Sequence, residues 1–491
     1  MSHLQAYLKN TAIDDQKSAA IAYLAALDHL ETCNPKVAHS IVQELQDQRA
    51  NLKLIASENF SSLATQLAMG NWLTDKYSEG YVGHRFYAGC DNVDEVEDEA
   101  ATQLKEIFGC DHAYVQPHSG SDANLVAFWS ILIQRVQNPA IEKLGKTKLE
   151  ELSPEEYEQV RQLLCQQKVM GMSLNSGGHL THGYRHNVSS KMMHAVTYEV
   201  NAKTGLLDYS EIAEQVKKEE PDILLAGYSA YPRLINFAKM REIADTVGAV
   251  FMVDMAHFSG LVAGKVLTGD ENPVPFADII TSTSHKTMRG PRGGFVLCTK
   301  EYADTVNRGC PIVLGGPLPH VMAAKAVAFS EVNSTGFQTY AQNIVDNAKA
   351  LAEGLMKRGA TVLTGGTDNH LIILDVSGHG ITGKQAELAL RNAKITVNRN
   401  SIPFDKHGPW YTSGLRLGTP ALTSLGMGKE EMDEVADIIV QVLENTEPAI
   451  VEKTGKPSLA RCNTADAVLQ QAHTRVADML GRHPLYPEIE L

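Results

Sequence analysis

From about Leu73 to Val332, short apolar runs alternate with stretches of helical period, a pattern that admits few folds. Ala113-Tyr114-Val115 precedes a helix that the spacing places from Ser121. Ile223-Leu224-Leu225-Ala226 precedes another from Ala238 to about Val247, stopped by Gly248. Such alternation predicts an α/β chain with a mainly parallel sheet and helices on its faces. Ligands of such sheets sit outside the carboxyl ends of the strands. The residues that follow each apolar run are therefore where chemistry is to be sought.

Two of these ends carry unusual residues. Ala249-Val250-Phe251-Met252-Val253-Asp254 is apolar and ends on an acid. Phe276-Ala277-Asp278-Ile279-Ile280 reads as a buried strand and runs into Thr281-Ser282-Thr283-Ser284-His285-Lys286, then a glycine-rich turn to Gly294. Burial disfavours the charged form of a lysine and frees its amine for nucleophilic and Schiff-base chemistry. A surface lysine on a turn is the plain alternative, and Lys286 alone does not exclude it. Asp254 reads equally as a turn residue. Paired with such a lysine, it has a definite use: a buried carboxylate keeps the ring nitrogen of pyridoxal phosphate (PLP) protonated. Ser119-Gly120-Ser121 precede the helix after Val115, and amides and hydroxyls at a helix start suit a phosphate. A plain N-cap is the competing reading for Ser121. His179 and His182 have a metal-ligand spacing, but no third ligand is evident and no metal is expected.

Further stretches complete a pattern. They are Leu54-Ile55-Ala56-Ser57-Glu58-Asn59, Lys76 to Tyr81, Gln116 to Ser121, Gly177 to Gly183, Val253 to His257, the lysine stretch, and Thr412 to Pro420. In this order the chain resembles the serine hydroxymethyltransferases, PLP enzymes of fold type I. The resemblance implies a Schiff base at Lys286 and transfer of a one-carbon unit between serine and tetrahydrofolate. It implies catalytic roles for Lys286, Glu79, Tyr87 and His285. It implies cofactor contacts by Ser119, Gly120, Ser121, His179, Ser229, Asp254, His257, Tyr77 and Gly316, with Tyr231 supporting the same region. Arg416 would bind the substrate carboxylate, Ser57 its hydroxyl, and Leu174, Gly178, Leu180 and Asn400 the folate. Arg292 would fix the lysine loop. Tyr77 and Glu79 would come from the second subunit of a homodimer. Folate-independent aldol cleavage or alanine racemisation on the same scaffold, and a non-catalytic PLP-fold binding protein, are the alternatives.

Some stretches depart from the family pattern. Phe86 stands where a tyrosine is usual, and Pro403 to Trp410 differs from common bacterial relatives. Residues 134–167 form an insertion. There Ser153-Pro154-Glu155-Glu156 predicts a capped helix with Tyr157, Val160 and Leu164 on one face.

The outer segments divide the rest. An N-terminal helical arm is expected over 1–72, with a helix from Asn34-Pro35 and Val37, Ile41 and Leu45 in phase. A large PLP-binding domain is expected over 73–332 and a smaller α/β domain over 333–491. The latter would open with a long helix carrying Tyr340, Ile344, Leu351 and Leu355 and stopped by Gly359. The strand Leu371-Ile372-Ile373-Leu374 would follow. A last helix would run from Ala467 to Leu480 and end at Gly481.

Composition excludes several classes. The 58 acids against 44 bases argue against a nucleic-acid binder. The hydrophobic share of 43% suffices for a full core. The seven cysteines are scattered and suit a reducing cytosol. No signal segment or membrane span is evident, and a cytoplasmic protein is expected.

Overall fold

The computed structural model describes residues 2–491. A seven-stranded sheet is its centre. In chain order the strands are β1 (His112–Tyr114), β2 (Lys168–Met172), β3 (His194–Tyr198), β4 (Ile223–Gly227), β5 (Val250–Asp254), β6 (Ile279–Thr283) and β7 (Gly294–Cys298). Their order across the sheet is β1-β7-β6-β5-β4-β2-β3. β7 runs antiparallel to both neighbours, and every other pairing is parallel. Strands β4 to β7 are buried at every position, as expected of strands covered on both faces. β6 begins later than its apolar run suggests and includes Thr281 to Thr283. Asp278 stays outside it, accepting from the Phe251 amide at 2.8 Å and from Arg241 at 2.8 Å.

A second sheet of four strands follows: β8 (Thr361–Val362), β9 (Leu371–Asp375), β10 (Asn398–Asn400) and β11 (Gly414–Gly418), in the order β8-β9-β11-β10 and antiparallel throughout. The helix Thr335–Lys357 serves both cores. Phe337 to Val345 pack on the large sheet's side, and Leu351 to Leu355 on the small one's. Tyr340, Ile344, Leu351 and Leu355 are all buried, as their period predicts. The last helix runs Asp466–Arg482 and passes through Gly481. Packing of Ala472, Val476, Met479 and Leu480 holds it, and one helical glycine costs only about 1 kcal/mol.

The N-terminal helices span Ser18–Cys33 and Pro35–Ala50. Asn34 caps the second, accepting from the Val37 amide at 3.3 Å. Its buried residue is Ala38, whereas Val37 and Ile41 are each 45% exposed. Of the phase read from the sequence, Val37 and Ile41 face outward, and Leu45 packs against the core. Arg49 ties this helix to the C-terminal tail through the carbonyls of Leu485, Tyr486 and Ile489. Leu52 and Leu54 insert into the small core, and Leu52–Lys53 pairs with Ile395–Thr396.

The helix Pro154–Gln166 has the expected capping box. Ser153 Oγ accepts from the Glu156 amide at 3.2 Å, and Glu156 accepts from the Ser153 amide at 2.8 Å. Val160 is buried and Tyr157 is exposed.

Candidate active site

The strand register places Gly227 beside Asp254 and Asp254 beside Thr281, so the ends of β4, β5 and β6 lie side by side. Over these ends lies a cavity of about 280 Å³. Ser119, Gly120, Ser121, His179, Ser229, Asp254, His285 and Lys286 all line it.

Lys286 follows β6 in a single 3₁₀ turn, with φ near +60°. Side chains with a Cβ seldom adopt that conformation, and surrounding structure must hold it. Asn59 does so, donating from Nδ2 to the Lys286 carbonyl at 2.7 Å. Burial pushes the Lys286 ammonium down to about 8. Asp254 opposes that fall, and Arg416 and Arg292 add to it. A folded pKa below the unfolded value of 10.5 means that the unfolded chain binds more protons between about 8 and 10.5. Stability then rises with pH across that window, and the cost of burying the charge is fully present below about 8. Lys286→Met should therefore stabilise the apoprotein at neutral pH by about 3 kcal/mol. The advantage should shrink as pH climbs from about 8 towards 10.5. Chemical denaturation of both proteins across that range checks it; a constant difference would contradict the burial argument.

Asp254 sits among donors. His182 Nε2 approaches its Oδ2 at 3.0 Å, Asn124 Nδ2 donates to the same oxygen at 2.9 Å, and the Ala256 amide donates to Oδ1 at 3.0 Å. Burial alone would raise this carboxyl. The hydrogen bonds from His182 and Asn124 hold it well below the usual range. The backbone amide of His179 donates to His182 Nδ1, so His182 Nε2 carries the proton given to Asp254. Structure adds here the third ligand-type group that the sequence does not reveal. Ligand atoms of His179, His182 and Asp254 lie within 4.8 Å of one another. Hydrogen bonds occupy these atoms, since His179 Nδ1 pairs with Thr181 at 2.8 Å. Burial pushes His179 down to about 4, which keeps its ring neutral.

At the other end of the cavity, Ser119 rather than Ser121 caps the helix Gly120–Leu132, accepting from the Asp122 amide at 3.1 Å. A Cβ on Gly120 would stand 2.8 Å from Thr283 Cγ2, so only glycine fits this close approach. His285 Nδ1 is buried without a hydrogen-bond partner. An amine, a buried carboxylate, a neutral ring and a helix start thus converge on one space, and that donor set fits PLP.

Arg416, on β11, reaches this end of the large sheet. Its Nε donates to Asn398 at 3.1 Å and its Nη1 to the Ser229 carbonyl at 2.7 Å. Among the described residues Nη2 has no hydrogen bond, which leaves one arm of the fork for a ligand. Burial lowers this guanidinium to about 10. His257 lies beside the cavity, stacked on His370 with ring centroids 5.4 Å apart.

Other expected residues are not part of the cavity lining. Tyr77, Glu79, Tyr87 and Gly316 form a group joined to it through His118, which lines the cavity and pairs with the Gly316 carbonyl at 3.2 Å. Tyr77 donates to Glu79 at 3.1 Å, meets the Tyr87 ring edge-on at 5.0 Å, and packs where a Cβ on Gly316 would stand. Tyr77 is 54% and Tyr87 46% exposed. Ser57 lines a neighbouring cavity that shares His285 and Arg292 with the first. Leu174 and Leu180 are exposed in the turns after β2, Gly178 is packed against the Met172 carbonyl, and Asn400 ends β10. Tyr231 supports the scaffold instead of the cavity, accepting from the Leu207 amide at 3.2 Å. Arg292 does not fix the lysine loop. Its side chain is exposed and, among the described residues, makes no hydrogen bond, while Ser284 Oγ donates to the Pro291 carbonyl at 2.7 Å and closes the turn. Sequence reading missed Tyr228 and Asn124. Tyr228 directly follows β4, where the strand-end rule points; Asn124 carried no signal, because its position within a helix says nothing of a strand opposite.

This arrangement on an α/β fold defines a PLP enzyme of fold type I. The serine hydroxymethyltransferase family model matches residues 30–140 and 155–439. The chain is 57% identical over 489 residues to a serine hydroxymethyltransferase of Treponema pallidum, covering 100% of this chain and 85% of that one. It is 56% identical over 478 residues to that of Mycolicibacterium smegmatis, covering 97% and 96%. With that of Chlamydia trachomatis serovar D it shares 54% over 492 residues, covering 100% and 99%. The chain belongs to the serine hydroxymethyltransferase family. The family model leaves out residues 141–154, which lie within segment 134–167.

Proposed function

We propose that this chain moves the hydroxymethyl carbon of L-serine to tetrahydrofolate, leaving glycine, and runs the same reaction in reverse. The observation that carries the reading is the meeting of Lys286, Asp254 and the Ser119–Ser121 helix start in one cavity. PLP, when bound, supplies an electron sink for the pair released as a bond at the substrate Cα breaks. Lys286 holds it through its amine. Asp254, kept ionised by His182 and Asn124, holds the proton on the ring nitrogen. Ser119, Gly120 and Ser121 would hold the phosphate, His179 and Ser229 would contact the cofactor from the cavity lining, and His257 would support it from beside the cavity. Arg416 binds the substrate carboxylate through its free arm. Ser57 orients the substrate hydroxyl, and Glu79 moves the proton on it, with Tyr77 and Tyr87 beside it. His285 orients the reacting amine. Leu174, Gly178, Leu180 and Asn400 form the folate side.

A homodimer completes the site in this reading. Tyr77 and Tyr87 are exposed, as are Phe86 at 72% and Trp72 at 92%, and the arm presents Val37 and Ile41 outward. A second copy would cover such surface. The arm over 1–72, the large domain over 73–332 and the small domain over 333–491 are the units we assign. A cytoplasmic location suits seven free cysteines, and no described helix is long and apolar enough to cross a membrane.

Arg416→Lys should weaken serine binding about tenfold to a hundredfold, the scale of one lost charge-assisted contact, and leave PLP binding unchanged. Spectral titration of the holoenzyme with serine checks it; equal affinity would remove Arg416 from this role. Glycine formation from serine, with and without tetrahydrofolate, tests the function. Strong folate dependence is expected, and an identical rate in both would overturn the folate half of the reading.

A further inference from the structure

We propose that Lys325 is a positioning residue for the phosphate end of this cavity, its buried ammonium tying down the loop that presents Ser119, Gly120 and Ser121. The proposal rests on the PLP reading of the cavity. Lys325 lies on the helix Pro319–Val332 and is 1% exposed. A lysine so deep needs partners for its charge. Its Nζ donates to three carbonyls, those of Val115 at 2.5 Å, Pro117 at 3.0 Å and Gly294 at 2.8 Å. An ammonium has three donors, and all are used.

These carbonyls are not scattered. Val115 directly follows β1, Gly294 opens β7, and Pro117 stands two residues before the cap Ser119. The Pro117 carbonyl also accepts from the Gly294 amide at 2.9 Å. A Cβ on Gly293 would stand 2.5 Å from Lys325 Cε and 3.0 Å from Nζ, so the backbone beside the cavity has closed onto the lysine. One ammonium therefore joins both edges of the turn that aims the helix start. Its charge also reaches the cavity: burial and the charges of Lys286, Arg292 and Lys325 together lower His285 to about 3. Among the described residues Lys325 makes no ion pair. Burial pushes its ammonium down to about 7, with the charges of Glu97 and Asp122 opposing that fall, and a phosphate at Ser119–Ser121 would add a further negative charge in its favour.

The test separates the phosphate from the rest of the cofactor. Apo forms of the parent, Lys325→Met and Lys325→Gln are titrated with PLP and with pyridoxal, which lacks the phosphate. PLP affinity should fall about tenfold to a hundredfold in both variants, and pyridoxal affinity should stay within about twofold. Circular dichroism of the apo forms reports folding. Equal losses for both ligands would mark a general structural role and overturn the proposal, as would no loss for either. Unfolding of both variants would make Lys325 a folding residue and overturn it too. If the parent protein itself forms no borohydride-reducible linkage at Lys286, the PLP reading of the cavity fails, and this proposal with it.

Discussion

Lys286→Ala should lower serine turnover by about a thousandfold, within the range a positioned acid–base group supplies. It should also abolish the borohydride-reducible linkage to PLP. The cofactor should still bind without that bond, because Ser119 to Ser121 and Asp254 are untouched. The effect is large because nothing nearby can substitute. Lys325 is deeply buried, and its Nζ is fully engaged by backbone carbonyls. Turnover and reduced-peptide analysis of the purified variant check both halves. Retained turnover at the parental rate would show that the reactive amine lies elsewhere.

Two inactive variants should restore one another. Glu79→Gln alone and Lys286→Ala alone should each be inactive in their own dimers. In a mixed dimer with shared sites, one site holds Lys286 from the first variant and Glu79 from the second, and is complete. The other site carries both defects. Activity should therefore return to about half of the parental value per mixed dimer, by the symmetry of a twofold assembly. The geometric motive is that the two groups do not line one space. Tyr77, Glu79 and Tyr87 form a partly exposed cluster against Gly316, whereas Lys286 lines the cavity over the strand ends. Purified mixed dimers with no activity would mean that Glu79 serves its own chain's lysine.

Much of the fold was legible because strand ends carry their own signature. Asp254 and Lys286 interrupt apolar runs, and a charge there has few structural uses. The helix Thr335–Lys357 was legible from period alone, since Tyr340, Ile344, Leu351 and Leu355 form one buried line. Where reading failed, a long-range contact decided the outcome. Gly481 does not end the last helix because packing against the small core continues past it. The cap fell on Ser119 instead of Ser121 because both are good caps by type, and only the turn through Pro117 and Gly294 selects between them. Val37 and Ile41 have helical spacing, yet Ala38 is the residue this chain buries.

The site divides in the same way. Lys286, Asp254 and Arg416 stand out by charge in apolar or glycine-rich surroundings. Asn124, His182 and Lys325 do not, because each acts on a partner more than fifty residues away. A buried lysine on a helix reads as an ordinary exposed one until the carbonyls around it are seen. The stacked pair His257 and His370 is equally invisible in sequence.

The central claim is that Lys286 is the amine that holds the cofactor. Reducing the PLP-loaded protein with borohydride, digesting it and locating the pyridoxyl group by mass spectrometry tests this most directly. The account predicts a single modified peptide carrying the group on Lys286. A pyridoxyl group on Lys325 or on any other lysine, with Lys286 unmodified, would contradict it.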